Sequence, residues 1–487
     1  MRALIRLLIL FSASALCGQQ FDLVIEGGRV LDPETGLDGV RNIGINGGRI
    51  ARVASEKLQG KRVVSAAGLV VAPGFIDLHQ HGQEIDSQRV KALDGVTTAL
   101  EMEIGAADVA QFLKSKEGHS LIHYGTTASH ASARAFVFGA PLSVNSPPRA
   151  GIPEILPKSG PVTNLPATPE QIEQIRRRLS SQLDAGGLGI GMGIQYTPGA
   201  TRLEIIDMFR LAAQRHLPVY THIRSAGRVE PGSAIEAVSE VIAASAISGA
   251  PLHIVHINSS CLRDSLECLS LIEGARARGL DVTTEAYPYI AGMTGINSAL
   301  FNPGWQQQLG IDYSSLVLPD TGEHLTKERF EQLHNDPEQH SVLVFANTQE
   351  VIDSLIPHPL IMIASDGATG HPRNAGTFSR VLAQYVREKK TLTLMEAVRK
   401  MTIMPAQMLE RSTPAGKRKG RLQEGADADI VVFDPQTITD KSTFQAPMEP
   451  STGVKYLVVS GTVIVDQGKV VPDVFPGRAL LPAGRRE

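Results

Sequence analysis

The sequence predicts an α/β protein, a parallel (β/α)8 barrel joined to a small strand-rich domain assembled from both ends of the chain. Three observations carry this. Apolar runs recur through the middle of the chain, at 75–81, 217–222, 251–256 and 360–367; the first three end in a histidine and the last in an aspartate just before a glycine. In a parallel barrel the functional residues sit at the C-terminal ends of the strands. Short strands punctuated by glycine turns occupy the two flanks instead. Size agrees: 487 residues with 42% hydrophobic content can bury a large core, and barrels with insertions run from roughly 250 to over 400 residues.

Residues 1–18 have the charged-then-apolar plan of a secretory leader. Arg2 and Arg6 precede the apolar run 7–11, which passes into small residues up to Gly18. The run is too short for a stable span. Secretion, or export to a bacterial periplasm, is therefore expected, with no stable membrane span once the leader is removed. A lipoprotein anchor at Cys17 is disfavoured, because Leu16 is larger than the residue such sites prefer.

Residues 19–71 form the first part of the strand-rich domain, with a strand and turn over 21–30 and strands at 43–45 and 50–53. Asn46-Gly47-Gly48 between the last two is a hairpin signal. Residues 417–487 supply the second part, through strands at 428–434, 454–461 and 463–465 and a Gln467-Gly468 turn. The barrel spans 72–416. Its excursion at 141–169 is rich in Pro, Ser and Gly and precedes a helix over 170–185. A second, 294–341, holds the only tryptophan, Trp305, and is placed between the sixth and seventh strands as a cap, since long loops in compact domains are commonly lids. Cys261 and Cys268 fall seven apart on the helix after His256. Two helical turns separate them by about 10 Å, too far for a disulfide, so both are read as core-facing.

His79 and His81 stand two apart at the end of a strand and so project the same way. Imidazole is the commonest metal ligand at neutral pH. Such a pair alone is a weak signal. His222, His256 and Asp366, each ending its own strand, turn it into a metal site at the barrel's functional face. The other histidines read as bland: His119, His216, His324, His334 and His340 as surface, and His253 as pointing away from the catalytic end. His130, after the third strand, stays open between pocket and packing. A net charge of −3 with no basic stripe gives no reason to expect a nucleic-acid partner.

With these residues in view, the chain resembles the amidohydrolase superfamily, most closely its D-aminoacylase branch, which includes N-acyl-D-glutamate deacylases. The resemblance rests on the His79-x-His81 pair, then His222, His256 and Asp366 in that order. Thr221-His222-Ile223-Arg224, Ala286-Tyr287-Pro288-Tyr289, His371-Pro372-Arg373, Gly376-Thr377-Phe378 and Met404-Pro405-Ala406-Gln407 extend it over nearly all of the chain. It implies a barrel with a β-sandwich built from both chain ends, a divalent metal and hydrolysis of an amide.

The chain departs from that branch at the anionic ligand. D-aminoacylases carry a cysteine shortly after the second-strand Gly-x-Thr-Thr, and other amidohydrolases use a carboxylated lysine. Here Gly95-Val96-Thr97-Thr98 runs into Leu100-Glu101-Met102-Glu103-Ile104, with Ile104 at the cysteine position. Two carboxylates on one face inside a barrel are costly unless paired or bound to a cation. Glu103 is therefore the preferred replacement ligand and Glu101 the second candidate. Zn²⁺ is the first choice for one or two ions, ahead of Mn²⁺, Fe²⁺ or Co²⁺. Asp366 is expected to double as ligand and as the base that carries a water proton to the leaving nitrogen. The residues that grip the substrate carboxylate in the D-aminoacylases fall here on Asn258, Tyr287, Met293 and Arg373, with Arg224 nearby.

The expected activity is hydrolysis of a linear C–N amide, an N-acyl amino acid, with a small molecule as the partner and oligomerisation left open. A cyclic-amide hydrolase of the dihydroorotase or hydantoinase kind is the alternative, but its carboxylated lysine has no counterpart in 187–193. A metal-binding relative without turnover would have no use for the proton shuttle at Asp366.

Overall fold

A computed structural model describes residues 20–140 and 160–484. The expected leader with Cys17, and most of the 141–169 excursion, lie outside the described residues. Eight parallel strands form the barrel: Phe75–Asp77, Val96–Ala99 continuing as Glu101–Ala106, Thr126–Ser129, Ile190–Gly193, Val219–His222, Leu252–Ile254, Val282–Ala286 and Ile361–Ile363. A bridge between Gln80 and Gly367 joins the first and eighth strands and closes the ring. Except at Gly105 and Ala106, the strands are buried along their whole length, as expected of a parallel sheet covered on both faces.

The surrounding helices follow from sequence in the ordinary way. Pro169–Asp184 starts on a capping box, Thr168 accepting from the Gln171 amide while the Gln171 side chain reaches back. Arg202–Gln214 buries Ile205, Met208, Phe209, Leu211 and Ala212 against the barrel. Each large side chain removed from water this way contributes about 1.5–3 kcal/mol. The helix after His256 is broken: Ile257–Cys261 and Ser265–Ala277 are separated by the turn Leu262–Asp264, with Leu262 at φ 48°. The spacing expected for Cys261 and Cys268 on one continuous helix therefore does not apply. Both are free and buried, and burial, then the neighbouring Cys268, pushes the Cys261 thiol up.

One nine-stranded sheet holds both flanks of the chain. Its order is Lys469–Val470, Thr462–Asp466, Val454–Val459, Ile430–Phe433, Val70–Pro73, Gln20–Asp32, Leu37–Asn46 and Arg49–Ala54, with Gln59–Ser65 also paired to Gln20–Asp32. The seam is the antiparallel pair Ile430–Phe433 with Val70–Pro73. Leu37–Asn46 and Arg49–Ala54 are joined through Gly47 and Gly48 at φ 55° and 78°, a conformation that two glycines adopt without strain.

The cap corrects the strand count. The polar segment Val282–Ala286 is itself the seventh strand, so the insertion lies between the seventh and eighth strands, not the sixth and seventh. Its Thr-Thr-Glu content hid it among the loops. The cap folds as a small antiparallel sheet of Gly292–Gly295, Ser341–Val344 and Leu316–Val317. Phe301, Trp305 and Phe330 pack beneath it with ring centroids 5.2–5.6 Å apart.

Candidate metal centre

The C-terminal ends of the barrel strands bring six ligand-bearing side chains to one point. His79 and His81 come from the first strand, Glu103 from the second, His222 from the fifth, His256 from the sixth and Asp366 from the eighth. Their exposures are 8% or less. Ligand atoms converge in three groups, His79–His81–Glu103, His79–His256–Asp366 and Glu103–His222–His256, each within 4.8 Å.

Glu103 is the hub. Its Oε2 lies 3.1 Å from Nε2 of both His79 and His81. Its Oε1 lies 2.7 Å from His222 Nδ1 and 3.0 Å from His256 Nε2. The two oxygens of one carboxylate thus face two different pairs of imidazoles. Asp366 approaches from the far side, Oδ1 at 3.3 Å from His81 and 3.5 Å from His79, and Oδ2 at 2.8 Å from Arg373 Nη1.

The backbone is strained where two ligands leave their strands. His256 sits at φ 27° and Asp366 at φ 50°. Non-glycine residues there cost on the order of 1–3 kcal/mol and persist when the surroundings hold them. For Asp366 the holding groups are visible: Asp77 accepts from the Ser365 amide at 2.9 Å and from its hydroxyl at 2.5 Å. Lys91, itself buried, balances Asp77 at 2.7 Å.

Charge in the cluster calls for a cation. Burial works against a charged His79, but the Asp366 and Glu103 carboxylates outweigh it and drive the ring up to about 10. His81 is likewise pushed well up, against burial, by Glu101 and Asp366. Burial opposes ionisation of Asp366 too, yet Arg373 and His79 hold it well below the usual carboxylate range. Without an ion, protons on imidazole do the neutralising. Four imidazoles and two carboxylates, all buried and converging, are a donor set that fits a divalent transition metal.

Several expected residues stand outside the cage, and of them only Asn258 lines the cleft. Glu101 belongs to none of the three converging groups. Its Oε2 is 2.7 Å from His81 Nδ1, and its Oε1 accepts from the Ile104 and Gly105 amides at 3.2 and 3.4 Å. It therefore orients a ligand from behind, because the strand turns it one step short of the hub. Arg224 turns away from the pocket and pairs with Glu240 at 2.6 and 2.8 Å. Asn258 is fully buried, its amide set against the Tyr287 backbone at 3.4 Å. Arg373, 1% exposed, lies under the Tyr287 ring with 4.7 Å between guanidinium and ring centroid. His130 is locked onto Glu204 at 2.9 Å, beside the Arg134–Glu204 pair at 2.6 Å, and does not line the pocket.

Two contributors had not been singled out. Gln195, just past the fourth strand, places Oε1 2.5 Å from His222 Nε2. Glu285 contacts His79 Nδ1 at 2.7 Å. A glutamate inside the strand run Val-Thr-Thr-Glu-Ala was the available signal for the second; Gln195 carried none.

The cage opens into a cleft of about 670 Å³, open water at its mouth included. Tyr287, Met293 and Asn347 line it, together with the aliphatic Leu262, Leu300, Leu309 and Val344. Among the described residues, and apart from those of the cage, no ionisable side chain but tyrosine lines it.

Known proteins place this geometry. Residues 237–465 match the model of the Amidohydrolase family. An N-acyl-D-glutamate deacylase of Alcaligenes xylosoxydans xylosoxydans is 32% identical over 95% of this chain and 97% of its own length. A D-aminoacylase of the same organism is 30% identical over 92% and 95%. The crystal structure of N-acyl-D-glutamate deacylase from Bordetella bronchiseptica, complexed with zinc and a phosphonate mimic of the tetrahedral intermediate, matches with a TM-score of 0.78 and 26% identity, covering 95% of this chain and all of that one. The chain belongs to the amidohydrolase family, in the group that contains the D-aminoacylases and N-acyl-D-glutamate deacylases.

Proposed function

We propose that this protein is a metal-dependent deacylase that hydrolyses N-acyl amino acids whose side chain is apolar, with the D series favoured by its relatives. One observation carries the reading: the Glu103-centred cage shares a cleft with the aliphatic side chains Leu262, Leu300, Leu309 and Val344. A divalent ion there, Zn²⁺ first among the candidates, supplies water acidified to a pKa of about 7 and polarises an amide carbonyl. Asp366 accepts the water proton at the carboxylate oxygen facing the cage and returns it to the leaving nitrogen, without which an amine is a poor leaving group.

The residues around the cage orient the substrate. Tyr287 Oη and Arg373 Nε are buried and have no hydrogen-bond partner in line; Tyr287 lines the cleft and Arg373 stands directly behind its ring, so the pair is placed to draw an α-carboxylate toward the cage. Met293 and the aliphatic residues of the cleft then receive the side chain. An acidic side chain would be buried there without a cation, a costly arrangement, which separates this chain from the glutamate and aspartate deacylases among its relatives. The cyclic-amide alternative finds no lysine on the fourth strand, Ile-Gly-Met-Gly. We further propose export directed by residues 1–18.

Turnover against a panel of N-acetyl D- and L-amino acids, with metal analysis of the same sample, tests this. Apolar D-substrates should lead, at tenfold or more over N-acetyl-D-glutamate in kcat/KM. Preference for the acidic substrate would refute the side-chain reading, and metal-free protein with full activity would refute the chemistry. N-terminal sequencing of protein recovered outside the cytoplasm checks the leader.

A further inference from the structure

Behind the cage runs a buried polar chain that the hydrolysis itself does not use. Glu285, on the seventh strand, points Oε1 at His79 Nδ1, 2.7 Å away, and Oε2 at His253 Nε2, 3.0 Å away. His253, on the sixth strand, meets Thr283 Oγ1 through Nδ1 at 2.8 Å. His79 and Glu285 are 1% exposed and His253 is fully buried, so water does not compete for these bonds. This places His253 opposite to expectation: it faces the barrel interior and leads toward the metal ligands.

A carboxylate only accepts hydrogen bonds. Both nitrogens facing Glu285 therefore carry hydrogen, and the Thr283 hydroxyl meets the other nitrogen of His253. For His79 the result is directional. Its Nδ1–H is fixed on Glu285, which turns Nε2, the nitrogen free to give up its proton to a bound ion, to where His81 Nε2, Glu103 Oε2 and Asp366 Oδ1 converge at 3.0, 3.1 and 3.5 Å.

We propose that Glu285 and His253 are positioning residues of the metal centre: Glu285 sets the tautomer and ring orientation of His79, and His253 holds Glu285 in place. Outer partners of this kind are worth 10–100-fold in metal affinity. The chain spans the sixth, seventh and first strands, so the ligands His256 and His79 are registered to each other through side chains as well as backbone.

The inference rests on the metal-centre reading, and the experiment separates the two. Wild type, Glu285→Gln, His253→Leu and the double variant are loaded with Zn²⁺, and the dissociation constant of the ion is measured by competition with a graded chelator. Thermal midpoints of the metal-free proteins are measured in parallel. Glu285→Gln should bind Zn²⁺ about 10–100-fold more weakly. His253→Leu should lose less, on the order of tenfold within the same range, and add nothing in the Glu285→Gln background, because it acts through that carboxylate. Glu285→Asp, one methylene short of His79, is read in the same way where the Gln variant does not fold. Unchanged affinity in both single variants overturns the proposal. So do additive losses in the double variant that follow the metal-free midpoints, the mark of a merely structural pair. A wild type that binds no Zn²⁺ overturns the metal centre itself.

Discussion

Replacing Glu103 by glutamine keeps the shape of the hub and removes its charge. The geometry gives the consequence as a count of ions. A filling by two ions would place one among His79, His81, Glu103 and Asp366 and the other among Glu103, His222 and His256, with His79, His256 and Asp366 also within reach of one another. Open catalytic sites are held by three protein ligands. Without the carboxylate, the first position still has His79, His81 and Asp366, whereas the second falls to two imidazoles. Glu103→Gln should therefore lower the number of ions held per chain at saturation and weaken whatever binding remains. Glu101→Ala, which removes only the support behind His81, should leave the count unchanged and lower affinity about 10–100-fold. Gel filtration in metal-buffered solution followed by elemental analysis reads both. A Glu103→Gln protein with undiminished metal content and chelator sensitivity would show that the bridge is not the hub.

Asp366→Asn should fold and bind metal but lose about 10²–10⁴-fold in kcat, and near-normal kcat would exclude it as the proton carrier. Arg373→Gln should raise KM by tenfold or more for carboxylate-bearing amides relative to neutral ones, a bidentate Arg–carboxylate pair being both strong and directional; equal effects on both would make Arg373 purely structural. At the seam between sheet and barrel, Asp429 is bonded to Lys419 at 2.6 Å and to His123 at 3.1 Å. Burial opposes its charge, but His123 and Lys419 hold it well below the usual range, and Lys419 is raised against burial by Asp429 and Asp427. The carboxylate's contribution is present above about pH 4 and is lost as pH falls through its depressed value, while the ammonium's is lost only as pH rises past 10. The contribution of this pair should thus be flat across neutral pH. Asp429→Asn should cost about 3 kcal/mol, the low end for a broken buried pair, because Asp427 still faces Lys419 at 3.2 Å. A loss below 1 kcal/mol in urea titration would refute it.

Much of the site could be read from the chain because its ligands end strands, where apolar runs stop abruptly at His222, His256 and Asp366. Alternation likewise exposed Glu101 and Glu103 as a pair on one face. It could not tell which of them reaches the hub, since that depends on the twist of a single strand. What the sequence concealed lies in contacts made across the barrel. Arg224 and Arg373 look alike as exposed cations in a motif, yet Glu240 and Asp366 decide where each guanidinium rests. The seventh strand was hidden by its own function: Thr283 and Glu285 face a polar interior, so a buried strand has the composition of a loop.

The shared sheet has a consequence for how the molecule comes into being. The strand Val70–Pro73 gains its antiparallel neighbour only when Ile430–Phe433 has been synthesised, more than 350 residues later. Until then it offers an open edge of backbone donors and acceptors, the kind of edge that recruits foreign strands. Pairings so distant in sequence form late and slowly. The barrel must mature first, and whatever shields that edge during the wait governs how much of the newly made chain escapes aggregation.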